Sequence, residues 1–275
     1  MSVVIRVADA DWSGKGLPNI NPFVATESLE FAFDVRNGMP VDVTGKHTIT
    51  PMRVEPAAQI FTMPDPTIMT TVDGGIGVRV DLGCLLCSYP ATPIPLGGSK
   101  KLTIMLVGRS GGVAFPPDKV MSTAPSVMVD FDWGSLTSAY GLSVERAIAG
   151  AGNQVRMMTT TPVLSDQGLA NPIGADVKFL IFDGAQWSLI NKTTGYVDVK
   201  SNAALSLPDP IPVAPLTASW VSGKVILGGS GYRNSTSKAY SPVIYQRAMW
   251  NRVLTGAEMD EQYLRTRAGR SGIGL

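Results

Sequence analysis

One helical segment closes a chain that otherwise reads as short β-strands. Thr255 can cap a helix, and Glu258, three residues later, can reach back to the Thr255 N–H, which makes a capping box. Met259 and Tyr263 lie four residues apart and so share one face of that helix. Helical periodicity longer than two turns occurs nowhere else in the sequence. The chain is therefore expected to build its core from β-sheets.

Short segments rich in β-forming residues precede this helix. In residues 28–35, SLEFAFDV, large apolar residues alternate with Glu30 and Asp34, as in a half-buried strand. Residues 102–107, LTIMLV, are almost wholly apolar and predict a central strand. Further strands are expected at 77–82, 127–133, 142–149, 155–161, 225–227 and 243–250.

The clearest hairpin joins residues 177–182 to residues 186–191. Its turn is Asp183-Gly184, where glycine accepts the positive φ of a tight turn. Many short strands separated by turn signals predict a sandwich, a jelly roll or a barrel. The sequence has no repeat of roughly 20–50 residues, which argues against a propeller or a β-helix.

Two stretches resemble the laminin-G-like, concanavalin-A-like jelly-roll domains. The first is the closing strand and helix, with matching residues Ile244, Tyr245, Arg247, Met249, Leu254, Thr255, Glu258, Met259 and Tyr263. The second is the hairpin, with matching residues Asp183, Gly184, Leu189, Asn191, Thr193, Thr194 and Gly195. The resemblance implies an all-β jelly-roll sandwich of two antiparallel sheets, with a short C-terminal helix.

Residues 1–25 read as an extended N-terminal arm, since glycine and proline interrupt them repeatedly. The stretch ADADWSGKGLPNINPF resembles the lead-in to such domains in bacteriophage tail-fibre and tailspike proteins. The matching residues are Ala10, Asp11, Trp12, Ser13, Leu17 and Pro22. The resemblance implies a virion-docking or oligomer-contact role for Trp12, Asp11 and Pro22. The expected division is an arm over 1–25, a jelly roll over 26–268 and a flexible tail over 269–275.

The charge content predicts an assembled protein. The formal net charge is +1, so no strong attraction to nucleic acid or to an anionic membrane is expected. Charged residues make up 16% of the chain, against roughly 25% in typical soluble domains. A surface this poor in charge is expected to be partly an interface. We therefore expect a homo-oligomer, with a trimer favoured, or docking to other virion proteins.

Hydropathy predicts no membrane insertion, because no apolar run is long enough for a transmembrane helix. The first residues, MSVVIRVADADW, have too short an apolar core for a signal peptide. The expected localisation is the virion, after synthesis in the host cytoplasm.

Catalytic patterns are mostly missing, so no enzymatic activity is expected. His47, the one histidine, is expected in a turn-rich polar region, and no G-x-S-x-G motif accompanies it. The E-x-D-x-E string of concanavalin-like glycosidases is also missing; its nearest equivalent, residues 258–262, falls in the helix. Asp130 and Asp132 share one strand face about 6–7 Å apart, which fits a carboxylate pair but favours a solvated face.

No cofactor or metal is expected. Cys84 and Cys87 form a single C-x-x-C without a second pair, so they are interpreted as reduced, mostly buried thiols. On a strand they would point to opposite faces. Calcium could use only scattered loop carboxylates, and no EF-hand-like string is present. The loop carboxylates are Asp42, Asp73, Asp166 and Asp183.

What remains is a binding surface. Sugars are held by aromatic faces with planar amides and carboxylates, and the candidate ligand residues are Trp187, Tyr232, Asn234 and Trp133. The sequence favours a non-enzymatic, tail- or fibre-associated bacteriophage protein for host-surface glycan recognition or particle assembly. The alternatives are a purely structural capsid-decoration or fibre-base protein and a concanavalin-like carbohydrate-active enzyme. The ligand, the host and the strand order stay open.

Overall fold

The computed structural model describes residues 22–55, 60–64, 69–80, 84–90, 101–114, 127–133, 142–147, 153–157, 161–166, 175–201, 225–230, 240–270 and 272–275. The strands in these ranges are β1 (Leu29–Arg36), β2 (Met39–Asp42), β3 (His47–Glu55), β4 (Ile60–Pro64), β5 (Met69–Val72), β6 (Gly77–Val80), β7 (Cys84–Pro90), β8 (Leu102–Ala114), β9 (Val127–Trp133), β10 (Leu142–Ala147), β11 (Asn153–Met157), β12 (Thr161–Asp166), β13 (Asp176–Phe182), β14 (Gln186–Asn191), β15 (Val197–Ser201), β16 (Val225–Ser230) and β17 (Tyr240–Trp250). One α-helix, α1 (Gly256–Gly269), follows β17.

The strands form two antiparallel sheets. The first sheet has the order β15-β14-β13-β8-β17-β1-β2, and β6 adds to it beside β17, with β5 beyond β6. The second sheet has the order β12-β11-β10-β9-β16-β7-β3-β4. Together the sheets make the all-β jelly-roll sandwich with a short C-terminal helix that the sequence predicts.

An inner hydrophobic cluster fills the space between the sheets. The first sheet supplies most of it, and Leu86 of β7 and Leu227 of β16 reach it from the second sheet. The alternation in β1 explains part of the contribution of the first sheet, because Phe31, Phe33 and Val35 all point inward. Phe182 and Trp187 stack in this cluster with ring centroids 4.5 Å apart.

An outer hydrophobic cluster covers the opposite face of the first sheet. It packs under α1 and includes Trp250 of β17 and Met259 of the helix. Phe23 and Val24 also belong to it, and the Trp250 Nε1–H donates to the Val24 carbonyl at 2.9 Å. The first sheet is therefore apolar on both faces, as expected for a central layer.

A bulge in β17 resets its alternation between the two clusters. The register against β8 shifts between Ile244 and Gln246, so that Tyr245 lies in the outer cluster and the Gln246 side chain accepts from the Thr266 hydroxyl of α1 at 3.1 Å. Arg247 then points inward and donates to the Leu227 carbonyl at 3.1 Å. One extra residue thus gives β17 two successive side chains on the helix face.

The capping box of α1 is present as predicted. The Glu258 N–H donates to the Thr255 hydroxyl at 3.2 Å, and the Thr255 N–H donates to Glu258 Oε2 at 2.8 Å. The Arg252 guanidinium also donates to Glu258. The hydrogen bond from Arg252, together with the one from the Thr255 N–H, lowers the pKa of Glu258 to about 2. Glu258 is explained by capping, and the predicted strand, corner and helix are confirmed.

Most predicted strands are confirmed, several of them with different ends. Residues 127–133 match β9 at both ends, and β10 pairs with β11 as the predicted hairpin. His47 begins β3 and pairs with Pro90 of β7, because β3 continues through a region that looked turn-rich. Cys84 and Cys87 both lie in β7.

The predicted domain ends also differ from the packing. Phe23 and Val24 are buried, so the core begins within the segment assigned to the arm. In the predicted tail, Arg270 is buried, and Ile273 packs against the outer cluster. Local sequence did not reveal these contacts because both segments are fixed by α1 and the first sheet. No helix in the described ranges has the length and hydropathy of a membrane span.

Candidate functional site where two turns meet

Two tight turns meet at one end of the first sheet. The β1–β2 turn contains Asn37 and Gly38, both with positive φ (51° and 77°), as a type I′ turn requires. The β5–β6 turn contains Asp73 at φ 52°, followed by Gly74 and Gly75, also at positive φ. The Gly38 N–H donates to the Gly75 carbonyl at 2.6 Å. We call these five residues, with Arg109 and Tyr245, the paired-turn corner.

The corner has little room for side-chain atoms at Gly38 and Gly75. A Cβ on Gly38 would lie 2.8 Å from the Thr71 hydroxyl, and a Cβ on Gly75 would lie 3.3 Å from the Gly38 nitrogen. Under the corner, a Cβ on Gly77 would lie 2.6 Å from the Tyr245 ring. Glycine at these positions lets the two turns and the tyrosine approach closely.

Asp73 is the centre of the polar contacts. The Tyr245 hydroxyl donates to Asp73 Oδ2 at 2.5 Å, and Arg109 Nη2 donates to both carboxylate oxygens at 3.1 and 2.9 Å. The side chains of Arg109 and Asp73 are 28% and 25% exposed. Burial, followed by the hydrogen bond to Asp73, raises the pKa of Tyr245 well above its usual value. Tyr245 therefore stays a protonated donor at neutral pH.

This arrangement suits binding. Arg109 offers N–H donors at the surface, Asp73 offers a carboxylate that neighbours hold in place, and the exposed Asn37 offers an amide. Asn37 and Asp73 are non-glycine residues whose backbones lie in the left-handed region. Backbone strain of this kind occurs preferentially at functional sites. The Arg109–Asp73 pair is neutral overall, so the corner favours an uncharged polar ligand.

Of the four sequence-predicted ligand residues, the structure describes Trp187 and the backbone of Trp133. Trp187 is fully buried in the inner cluster, where it stacks on Phe182, so its indole face is not a surface platform. Trp133 ends β9, on the second sheet. Tyr232 and Asn234 lie outside the described residues.

Of the predicted docking residues, Trp12 and Asp11 lie outside the described residues. Pro22 is half-buried, and its carbonyl accepts from Gln262 Nε2 of α1 at 3.3 Å. Gln262 also accepts from the Val24 N–H at 2.9 Å. The last residues of the predicted arm are therefore fixed against the helix.

Three of the carboxylates considered as calcium ligands, Asp42, Asp73 and Asp183, have protein partners. Asp73 binds Arg109 and Tyr245, and Asp42 accepts from the Thr44 hydroxyl at 2.7 Å. Asp183 accepts from the backbone N–H groups of its own turn. Within the described ranges, no three or more His, Cys, Asp or Glu side chains group in a way that could hold a metal ion.

Sequence reasoning missed the corner itself. Arg109 and Tyr245 lie on β8 and β17, far from Asn37 and Asp73 in the chain, and only the sheet order brings the four together. The available signal was the Asn37-Gly38 dipeptide, which is typical of a type I′ turn.

The same fold occurs in solved structures. The binding domain of botulinum neurotoxin serotype D matches with a TM-score of 0.55 and 8% identity, over 88% of this chain and 51% of that one. Trypanosoma rangeli sialidase matches with a TM-score of 0.50 and 10% identity, over 90% of this chain and 34% of that one. The chain thus spans about half of the first protein and a third of the second. At these identities, the similarity concerns the fold alone.

No protein-family model matches the sequence, and no curated protein matches it either.

Proposed function

We propose that this chain is a non-enzymatic recognition domain of a bacteriophage particle, associated with the tail or a fibre, which binds a glycan on the host surface. The jelly-roll fold supports a recognition domain, since one of the similar structures is the binding domain of a neurotoxin. The phage assignment rests on the resemblance carried by residues 10–22.

The observation that carries the binding proposal is the paired-turn corner. Its Asp73, Arg109 and Tyr245 side chains are already held by one another, so these groups lose little side-chain entropy when a ligand binds. Planar amide, carboxylate and guanidinium groups pair well with sugar hydroxyls. The neutral Arg109–Asp73 pair favours a neutral sugar. Adhesion involves no chemistry, and copy number multiplies a weak single-site affinity.

The fixed segment at Pro22 supports the docking role of the arm. The Pro22, Phe23 and Val24 backbones all bond to Gln262 or Arg265 of α1. A force on the arm would therefore be transmitted directly to the domain through α1. We propose that the arm docks to other virion proteins and that the assembled protein is a homo-oligomer, with a trimer favoured.

Binding of the full chain to a glycan array and to whole cells of candidate hosts tests this proposal. Asn37→Ala and Arg109→Gln are expected to reduce binding at least tenfold with unchanged circular dichroism. Lys200→Gln is the matched control, since β15 lies at the opposite end of the first sheet from β2.

Blank arrays and blank cells across host strains would overturn the glycan proposal and favour a structural role in the particle. Release of reducing sugar from host polysaccharide would instead favour the carbohydrate-active enzyme.

A further inference from the structure

Three buried polar side chains that the paired-turn corner does not use lie between the sheets. Asp176, Lys178 and Asn191 are 2%, 3% and 0% exposed. Lys178 shares its face of β13 with Leu180 of the inner cluster, and Asn191 shares its face of β14 with Leu189. Lys178 and Asn191 are direct cross-strand partners. Such partners have Cβ atoms about 4.5–5.5 Å apart.

The Lys178 side chain leans towards the start of β13. Its Nζ lies 2.8 Å from Asp176 Oδ2, two residues earlier on the same face. The amine and the carboxylate are thus in contact in a dry interior. An ion pair placed there costs desolvation that the pair only partly recovers.

The Asn191 side chain leans towards the same end of the hairpin. Its Oδ1 accepts from the Thr193 and Thr194 N–H groups at 3.0 and 3.2 Å. Thr193 lies beside the start of β13, because the Val177 N–H donates to the Thr193 hydroxyl at 3.0 Å. The Lys178 and Asn191 side chains therefore both extend towards the same end of the β13–β14 pair.

We propose that Lys178 and Asn191 form an intramolecular amide cross-link. Lys178 is the nucleophile, the Asn191 amide carbon is the electrophile, and Asp176 carries the proton. The two backbone N–H groups on Asn191 Oδ1 are placed to hold the negative charge that develops on this oxygen. The burial of all three side chains keeps water away from the reacting carbon.

The reaction balances without any co-reactant. Asp176 takes a proton from the Lys178 ammonium, and the free Nζ forms a bond to Asn191 Cγ. When the intermediate collapses, the Cγ–Nδ2 bond breaks, and Asp176 returns the proton to the leaving nitrogen. The second proton lost by Nζ leaves with the ammonia as ammonium. The product joins β13 to the end of β14 by a bond that, unlike a disulfide, resists reduction.

The intact mass of the purified full chain tests the cross-link. The expected mass is lower than the sequence mass by one ammonia, about 17 Da, as a nucleophilic substitution at the amide requires. A protease digest should yield a branched peptide that joins residues 178 and 191. A folded wild-type chain with the full sequence mass after prolonged incubation would overturn the proposal without reference to any variant.

Variants assign the roles. Asn191→Asp keeps the carbonyl acceptor and should lose one water in place of ammonia, whereas Lys178→Arg should retain the full mass. Asp176→Asn should slow the mass loss at least tenfold. Lys192→Arg is the control, because Lys192 follows Asn191 but pairs with Asp260 outside the core; its mass deficit should equal that of the wild type.

Discussion

Replacing Asp34 by alanine should destabilise the protein by about 3–5 kcal/mol, because it leaves a buried cation without its carboxylate. Asp34 of β1 and Arg270, just after α1, are each 5% exposed. Asp34 Oδ1 accepts from Arg270 Nη2, and Asp34 Oδ2 accepts from Arg36 Nε at 3.1 Å. Burial already lowers the pKa of Arg270, and Asp34 offsets this effect.

The magnitude follows from what Arg270 keeps in the variant. Its Nη2 also donates to the Tyr245 carbonyl, but at 3.3 Å, which is a long contact. An exposed ion pair gives the contrast: Lys192 and Asp260 are 23% and 65% exposed, so Asp260→Ala should cost no more than about 1 kcal/mol.

Urea unfolding followed by tryptophan fluorescence measures both variants, and a double variant separates the charge from the packing. Asp34→Leu combined with Arg270→Met should recover most of the stability, since apolar residues of similar volume replace a buried pair at little cost. A loss below about 1 kcal/mol for Asp34→Ala, or the same loss in the single and double variants, would refute this reasoning.

Three further predictions concern the elements that hold the fold. Glu258→Ala should cost about 1 kcal/mol at neutral pH through the lost cap. Because the pKa of Glu258 is lowered to about 2, its contribution is present above the usual pKa of 4.5 and is lost as the pH falls towards 2. Unfolding of wild type and variant across this range should therefore converge; a constant gap would contradict the assignment. Thr103→Val should cost about 1–3 kcal/mol in urea unfolding, because the buried Thr103 hydroxyl donates to the Arg252 carbonyl at 2.9 Å; an unchanged midpoint would count against that bond. Gly77→Ala should cost about 1–3 kcal/mol, since the new Cβ meets the Tyr245 ring, and a thermal midpoint equal to that of the wild type would show that the ring moves freely.

The elements that sequence predicted well are those whose signal is local. The alternation in β1, the apolar run in β8, the Asp183-Gly184 turn and the capping box of α1 each depend on neighbours a few residues apart. Strand β2 was not predicted, because it is only four residues long and contains a proline.

Whether an individual side chain is buried or exposed was harder to predict. Trp187 looked like a ligand platform beside a turn, but the sheet face on which it lies turns it into the core. Phe23 and Arg270 lie in the segments that were predicted to be an arm and a flexible tail. Both are buried because α1 lies across the first sheet. The surroundings of Phe23 and Arg270 depend on residues more than 200 positions away, Arg265 for Phe23 and Asp34 for Arg270.

The sequence by itself determined that this chain is built of β-strands and closed by one capped helix, because hydrophobic periodicity and turn chemistry depend on residues a few positions apart. The jelly roll among the possible β folds came from the resemblance to laminin-G-like domains. Only the tertiary structure brought Asn37, Asp73 and Arg109 to one corner. The local hairpin pairs Lys178 with Asn191, but only the sandwich buries this pair between the sheets. The physical reason is that strand order and register are set by packing of the whole sandwich, which no local pattern encodes.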